Sequence, residues 1–228
     1  VDKISNAPIV KTESGRESVL QITDSYEFSN LDKLSFFQGG PVSWWGFEGN
    51  AKDSIGKNNG EALNGAKFVS DSVRGGKVLS VDGENDYVMV PNNSSLEIRN
   101  AITMSAWINY PDNDYFSNCG IYPDNHFILT KGAQLYYLNI ASQKLEADVG
   151  KWVPQPLPQG TSLILLCNTQ IPLGQWTYVS ATYNYAEDGN LTCYVNGKLG
   201  GNRQLGEWLI PATSSDLHSL DPAHGATN

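Results

Sequence analysis

Short apolar runs that alternate with polar residues, broken every few positions by Gly, Asn, Asp or Pro, set the tightest limit on this fold. In Ala101-Ile102-Thr103-Met104-Ser105-Ala106-Trp107-Ile108, the residues Ile102, Met104, Ala106 and Ile108 share one face, and Thr103, Ser105 and Trp107 share the other. Residues 127–129, 135–140, 163–166, 176–183 and 191–195 read as further strands, with Asn196-Gly197 as a tight-turn signal. Residues 77–81 and 87–90 flank a short Asp/Asn/Gly segment, residues 82–86, and read as a hairpin; Pro91 ends its second strand. No segment keeps a helical stripe of about 3.6-residue period for three turns. The pattern predicts an all-β chain, two stacked antiparallel sheets with less than about 10% helix.

Length and charge narrow the functions open to such a fold. The 228 residues carry 24 acidic and 15 basic side chains, a formal charge of −9, with no Lys/Arg cluster. Phosphate neutralisation, on which nucleic-acid affinity rests, has no basis here, and an anionic membrane surface is disfavoured for the same reason. No run of about 18 apolar residues occurs to span a bilayer. Val1-Asp2-Lys3 reads as an excised or mature start. Of the cysteines Cys119, Cys167 and Cys193, no two have CxxC spacing, which argues against a zinc site. Cys193 lies on the Leu191/Val195 face and reads as a buried thiol, while Cys119 and Cys167 are left as a pair that either bonds or does not.

Residues 1–40 differ from the rest. Residues 19–23 read as a strand, followed by Tyr26, Phe28 and Leu31, then Leu34-Ser35-Phe36-Phe37 and the breaker Gln38-Gly39-Gly40-Pro41. The Tyr-x-Phe-x-x-Leu pattern resembles the immunoglobulin-like domain of family 2 glycosidases; the alternative is a strand pair packed on the main domain.

From residue 41 a series of motifs follows in order. They are Ser43-Trp44-Trp45-Gly46-Phe47-Glu48-Gly49, then Asp53 to Gly60, Gly76-Lys77-Val78-Leu79-Ser80-Val81-Asp82-Gly83 and Asp86-Tyr87-Val88-Met89-Val90-Pro91. Ile102 to Ile108, Leu173-Gly174-Gln175-Trp176-Thr177-Tyr178-Val179 and Leu191-Thr192-Cys193-Tyr194-Val195-Asn196-Gly197-Lys198 complete the set. Over residues 41–201 the chain resembles LamG-like domains of the concanavalin A-like lectin/glucanase superfamily. The resemblance implies a two-sheet antiparallel jelly-roll sandwich, structural Ca²⁺, and glycan binding or adhesion, commonly as an appendage to secreted enzymes. Residues 1–40 are then an extension or the remnant of a preceding β domain, and residues 41–228 the LamG-like domain. The family's closing strands find no match in residues 202–228, which contain Pro211 and Pro222 and lack an alternating run. Residues 19–37, or another polypeptide, are therefore expected to pair with the open edges.

Candidate sites follow. Asp53, Ser54 and Asn58, with Glu48 nearby in sequence, offer the hard oxygens that Ca²⁺ takes, and also suit an Asx-stabilised loop without metal. For a sugar, Tyr137 and Asn139 share a strand face, and Trp152, Tyr115 and Tyr122 lie in insertions. Glu146-Ala147-Asp148 supplies two carboxylates of a glucanase-like triad, but Gly150 and Lys151 stand where the third is needed, so no catalytic residue is assigned. His126, His218 and His224 show no paired spacing and read as exposed loop residues; sequons occur at Asn92, Asn93 and Asn190.

The expectation is a non-catalytic carbohydrate-binding module of an exported or cell-surface protein, binding a poly- or oligosaccharide and attached to a glycan-degrading enzyme. The alternatives are an adhesion or protein-interaction domain and a jelly-roll glycoside hydrolase or lyase.

Overall fold

In the computed structural model, the described residues are 9–11, 17–19, 40–111, 125–132, 136–150, 164–185, 187–205 and 217–219. The chain divides into two units, residues 1–42 and 43–228. In the first, β1 (Ile9–Lys11) pairs antiparallel with β2 (Glu17–Val19), Val10 opposite Ser18. The other features expected in residues 20–39 lie outside the described residues.

The second unit is a β-sandwich. Its elements are β3 (Glu61–Leu63), β4 (Lys67–Asp71), β5 (Gly76–Ser80), β6 (Tyr87–Val90), β7 (Ala101–Asn109), β8 (Asn125–Lys131) and β9 (Tyr136–Ala141). Then come β10 (Lys144–Asp148), β11 (Leu165–Gln170), β12 (Trp176–Asn184), β13 (Asn190–Val195), β14 (Lys198–Gln204) and β15 (Leu217–Ser219). Among the described residues the only helical element is one 3-10 turn, Ser94–Leu96, capped by the Asn93 side chain accepting from Ser95 N. One sheet has the order β11-β10-β9-β8-β15-β6-β3 and the other β14-β13-β12-β7, with every neighbouring pair antiparallel.

Alternation does the sorting. Leu138, Ile140, Leu145 and Ala147 from the large sheet meet Met104, Val179, Ala181, Leu191 and Val195 from the small one in a single buried cluster. Each large side chain buried there contributes about 1.5–3 kcal/mol. A Cys167–Cys193 disulfide joins β11 to β13, and hence one sheet to the other, with Cα atoms 6.2 Å apart. Gly200 makes the space, since a Cβ there would lie 2.8 Å from Cys167 Sγ. Closing a loop of sequence separation 26 stabilises by about 3–4 kcal/mol in the chain-entropy account. This pairing corrects the reading of Cys193 as a free thiol and of Cys119 and Cys167 as the available pair. Both bonded cysteines point into the core from facing strands, a proximity that sequence spacing does not reveal.

The predicted hairpin is also corrected. β5 pairs with β4, and β6 pairs with β3 and β15. Residues 82–86 turn a corner instead, where Asp82 Oδ1 accepts from the N–H groups of Glu84, Asn85 and Asp86. The true hairpin turn follows Asp71, whose Oδ1 accepts from Val73 and Arg74 N–H, with Gly75 at φ +76°.

A third correction concerns the C-terminal segment. Leu217 of β15 pairs with Val90 of β6 on one side and Lys131 of β8 on the other, in the middle of the large sheet. Residues 202–228 therefore do supply an inner strand. Three residues with one buried Leu suffice, because both neighbouring strands satisfy the backbone. His126 and His218 likewise lie in β8 and β15 instead of in loops.

Candidate binding face

The two sheets present unlike outer faces. On the small sheet, Thr103, Ser105, Trp107 and Asn109 of β7 are exposed, alternating with core-facing Ile102 and Met104. Trp107 lies directly opposite Tyr178 of β12, the rings 5.4 Å apart and tilted by 54°. Across the next strands Ser180 faces Tyr194, and Tyr194 faces Leu199, which is 60% exposed. Asn196, at φ +50° in the turn, accepts from Tyr178 N through Oδ1 and fixes that strand end.

The β4–β5 turn completes this face. Asp71 Oδ2 accepts from Trp176 Nε1 at 3.2 Å, tying the turn to β12. The same turn carries Arg74, whose guanidinium lies 4.5 Å from the Trp107 ring centroid and 5.6 Å from that of Trp176. The Arg74 N–H bond leads the causes that hold Asp71 below the usual carboxylate range, against a smaller opposing effect of burial; the Trp176 indole and Val73 N–H add to it. Trp107, Trp176, Tyr178 and Arg74 thus form a ring-and-guanidinium surface beside a row of hydroxyls. Trp107 stood out in the sequence only as the polar-face member of its strand. The cation over it comes from the β4–β5 hairpin, where Arg74 reaches both the Trp107 and the Trp176 ring.

The large sheet buries its polar side chains instead. Tyr137 and Asn139 of β9 are 2% and 0% exposed. Tyr137 Oη and Asn139 Nδ2 both donate to Glu146 Oε1, at 3.1 and 3.2 Å. Asn139 Oδ1 is buried without a hydrogen-bond partner. Asp148 shares the Glu146 face of β10, opposite Tyr137, with Ala147 buried in the core between them. The structure therefore brings buried Tyr137 and Asn139 together with both carboxylates, which are themselves half-buried. Trp152, Tyr115 and Tyr122 lie outside the described residues.

The expected cation ligands separate. Asp53 Oδ1 accepts from the N–H groups of Trp44, Ile55 and Gly56, and Oδ2 from Asn58 N. Burial raises the Asp53 pKa, but these four donors outweigh it and hold the carboxyl at about 2. The Asn58 amide donates to Ser43 and Ser95 hydroxyls, while Ser54 is exposed beside Asp53. Glu48 is held elsewhere, accepting from Lys77 N at 2.8 Å and lying against Gly76. As folded, Glu48 and the Asp53 loop do not form one ligand set, and the Asp53 oxygens already face N–H donors.

The model of the family described as the concanavalin A-like lectin/glucanases superfamily matches residues 82–226, from the corner after β5 through β15. The chain belongs to this superfamily. The match extends beyond β14 to the C-terminal strand. No curated protein matches the chain. Among solved structures, the binding domain of Paraclostridial Mosquitocidal Protein 1 aligns with TM-score 0.58 and 18% identity, over 75% of this chain and 41% of that one. The receptor binding domain of botulinum neurotoxin mosaic serotype C/D aligns at 0.51 and 17%, over 78% and 42%. The botulinum neurotoxin serotype D ligand binding domain, in complex with N-acetylneuraminic acid, aligns at 0.51 and 18%, over 76% and 42%. The chain thus spans about two-fifths of each of these structures, and at such identities they share its fold. Among the described residues of this superfamily member, no helix is long and apolar enough to cross a membrane.

Half-buried Asp148 makes a pH prediction. Burial raises the Asp148 pKa from 3.8 to about 6; Gly150 and Val149 N–H donors pull it down, and the Glu146 charge adds to the rise. The folded state therefore binds more protons than the unfolded state between these values, and stability falls as pH rises through that window. The cost reaches about 3 kcal/mol once Asp148 is ionised in both states. Asp148→Asn should raise urea resistance near pH 7.5 and lose this advantage below about pH 4. A variant less stable than wild type near neutrality would contradict the assignment.

Proposed function

We propose that the chain is a non-catalytic saccharide-binding module whose ligand lies across the outer face of the small sheet. The carrying observation is the exposed Trp107 paired with half-buried Tyr178 and flanked by Trp176 and Arg74, on a face that also carries Thr103 and Ser105. Sugar rings offer apolar C–H faces to aromatic rings and hydroxyls to neighbouring polar groups, and this face supplies both. Membership of a lectin/glucanase superfamily, and a structural neighbour solved with N-acetylneuraminic acid, support the reading. Glycoside hydrolysis is disfavoured, because the two carboxylates of β10 are partly buried and one is engaged by Tyr137 and Asn139.

An exported or cell-surface location fits the inter-sheet disulfide, since such bonds persist in oxidising compartments. Attachment to a glycan-degrading enzyme accords with the way such modules are used. The adhesion alternative draws on Leu199 and Val73, 60% and 81% exposed. Calcium at the Asp53 loop is a separate proposal: Asp53, Ser54 and Asn58 would hold it, at the expense of amide bonds to Asp53. Adding millimolar calcium to EDTA-treated protein should then raise the melting temperature by mass action; an unchanged melt removes the proposal.

The binding face is tested by glycan profiling followed by calorimetry. Trp107→Ala should weaken saccharide binding by ~10-fold or more, about 1.4 kcal/mol. Its melting temperature should stay near wild type, because the ring is 44% exposed. Undiminished affinity would place the ligand elsewhere, and failure to bind any glycan would favour a protein partner.

A further inference from the structure

We infer that the face selects acidic saccharides, a carboxylate or sulfate group being held by Arg74; this rests on the saccharide reading above. Among the described residues, the partners of the Arg74 guanidinium are the two indole rings and the through-space attraction of Asp71. Asp71 does not form a fork with it. The Asp71 oxygens accept from Val73 N, Arg74 N and Trp176 Nε1, so the carboxylate is committed to building the turn.

A guanidinium stacked on a ring keeps its N–H donors in its own plane, free at the edge, and that fork matches a carboxylate or sulfate bidentately. Stacking also strips water from one side of the cation and fixes its orientation, so less is lost when an anion binds. A sugar lying on Trp107 and Tyr178 would bring a charged substituent toward that edge. The chain as a whole carries a charge of −9. Its long-range field repels anions, so selection here is a matter of short-range contact and not of steering.

The bland account of Arg74 is a stem laid over an apolar ring. Lysine preserves that stem and the charge but lacks the planar fork, and glutamine removes the charge. The intact chain, with the Arg74→Lys and Arg74→Gln variants, is titrated with uronate-, sialate- and sulfate-bearing oligosaccharides, each beside an uncharged counterpart such as the methyl ester. Wild type should prefer at least one acidic member over its counterpart by about tenfold or more. Arg74→Gln should abolish that preference by weakening the acidic member far more than the neutral form, and Arg74→Lys should retain only part of it. Equal binding of acidic and neutral members, or a preference that survives Arg74→Gln, overturns the inference and leaves the saccharide reading standing. Failure of every member to bind overturns that reading itself. Melting temperatures of both variants, expected near wild type because Arg74 is exposed, guard against a folding defect.

Discussion

Everything in the sandwich depends on two sheets being held face to face. The core side chains of β9 and β10 meet those of β12 and β13, and the Cys167–Cys193 bond fastens the strands at one edge. Once the inner faces are fixed, the period of two along each strand leaves no freedom about the outer ones. A residue two places from a core residue is in the core, and its neighbour is outside. Trp107 is displayed because Met104 and Ala106 pack inward, and Tyr178 is displayed because Val179 does.

That geometric necessity has different consequences on the two sheets. On the large sheet Tyr137 and Asn139 are buried and Asp148 is half-buried beside them, and burial moves the Asp148 pKa up. The small sheet leaves Trp107 exposed beside half-buried Tyr178 and Trp176, and the β4–β5 turn adds a cation to them. Asp71 is the hinge of that arrangement. Its oxygens form the turn and receive the Trp176 indole, so a single carboxylate sets where Arg74 stands.

The sandwich was legible in the sequence because β7, β12 and β13 alternate cleanly, and clean alternation has one structural meaning. The pairings were less legible. Residues 82–86 look like a hairpin loop, but local turn chemistry says that the chain bends, not which strand it meets next. The inner strand β15 escaped notice because a three-residue strand with two satisfied neighbours needs no pattern of its own. The binding face was half visible: alternation sorts Trp107 to the outer side, while Tyr137 and Asn139 share a face as expected but lie buried. Nor was the disulfide visible, because the proximity of Cys167 and Cys193 is a product of sheet stacking.

The central claim is that a saccharide binds the small sheet and not the large one. Nitrogen-edited NMR, following backbone and indole N–H signals during titration with the best-binding oligosaccharide, tests it most directly. The chain has six tryptophans. The account predicts that shifts concentrate on Trp107, Trp176, Tyr178 and the turn bearing Arg74. Shifts confined to Tyr137, Asn139 and Glu146, with the Trp107 and Trp176 indoles unmoved, would contradict it.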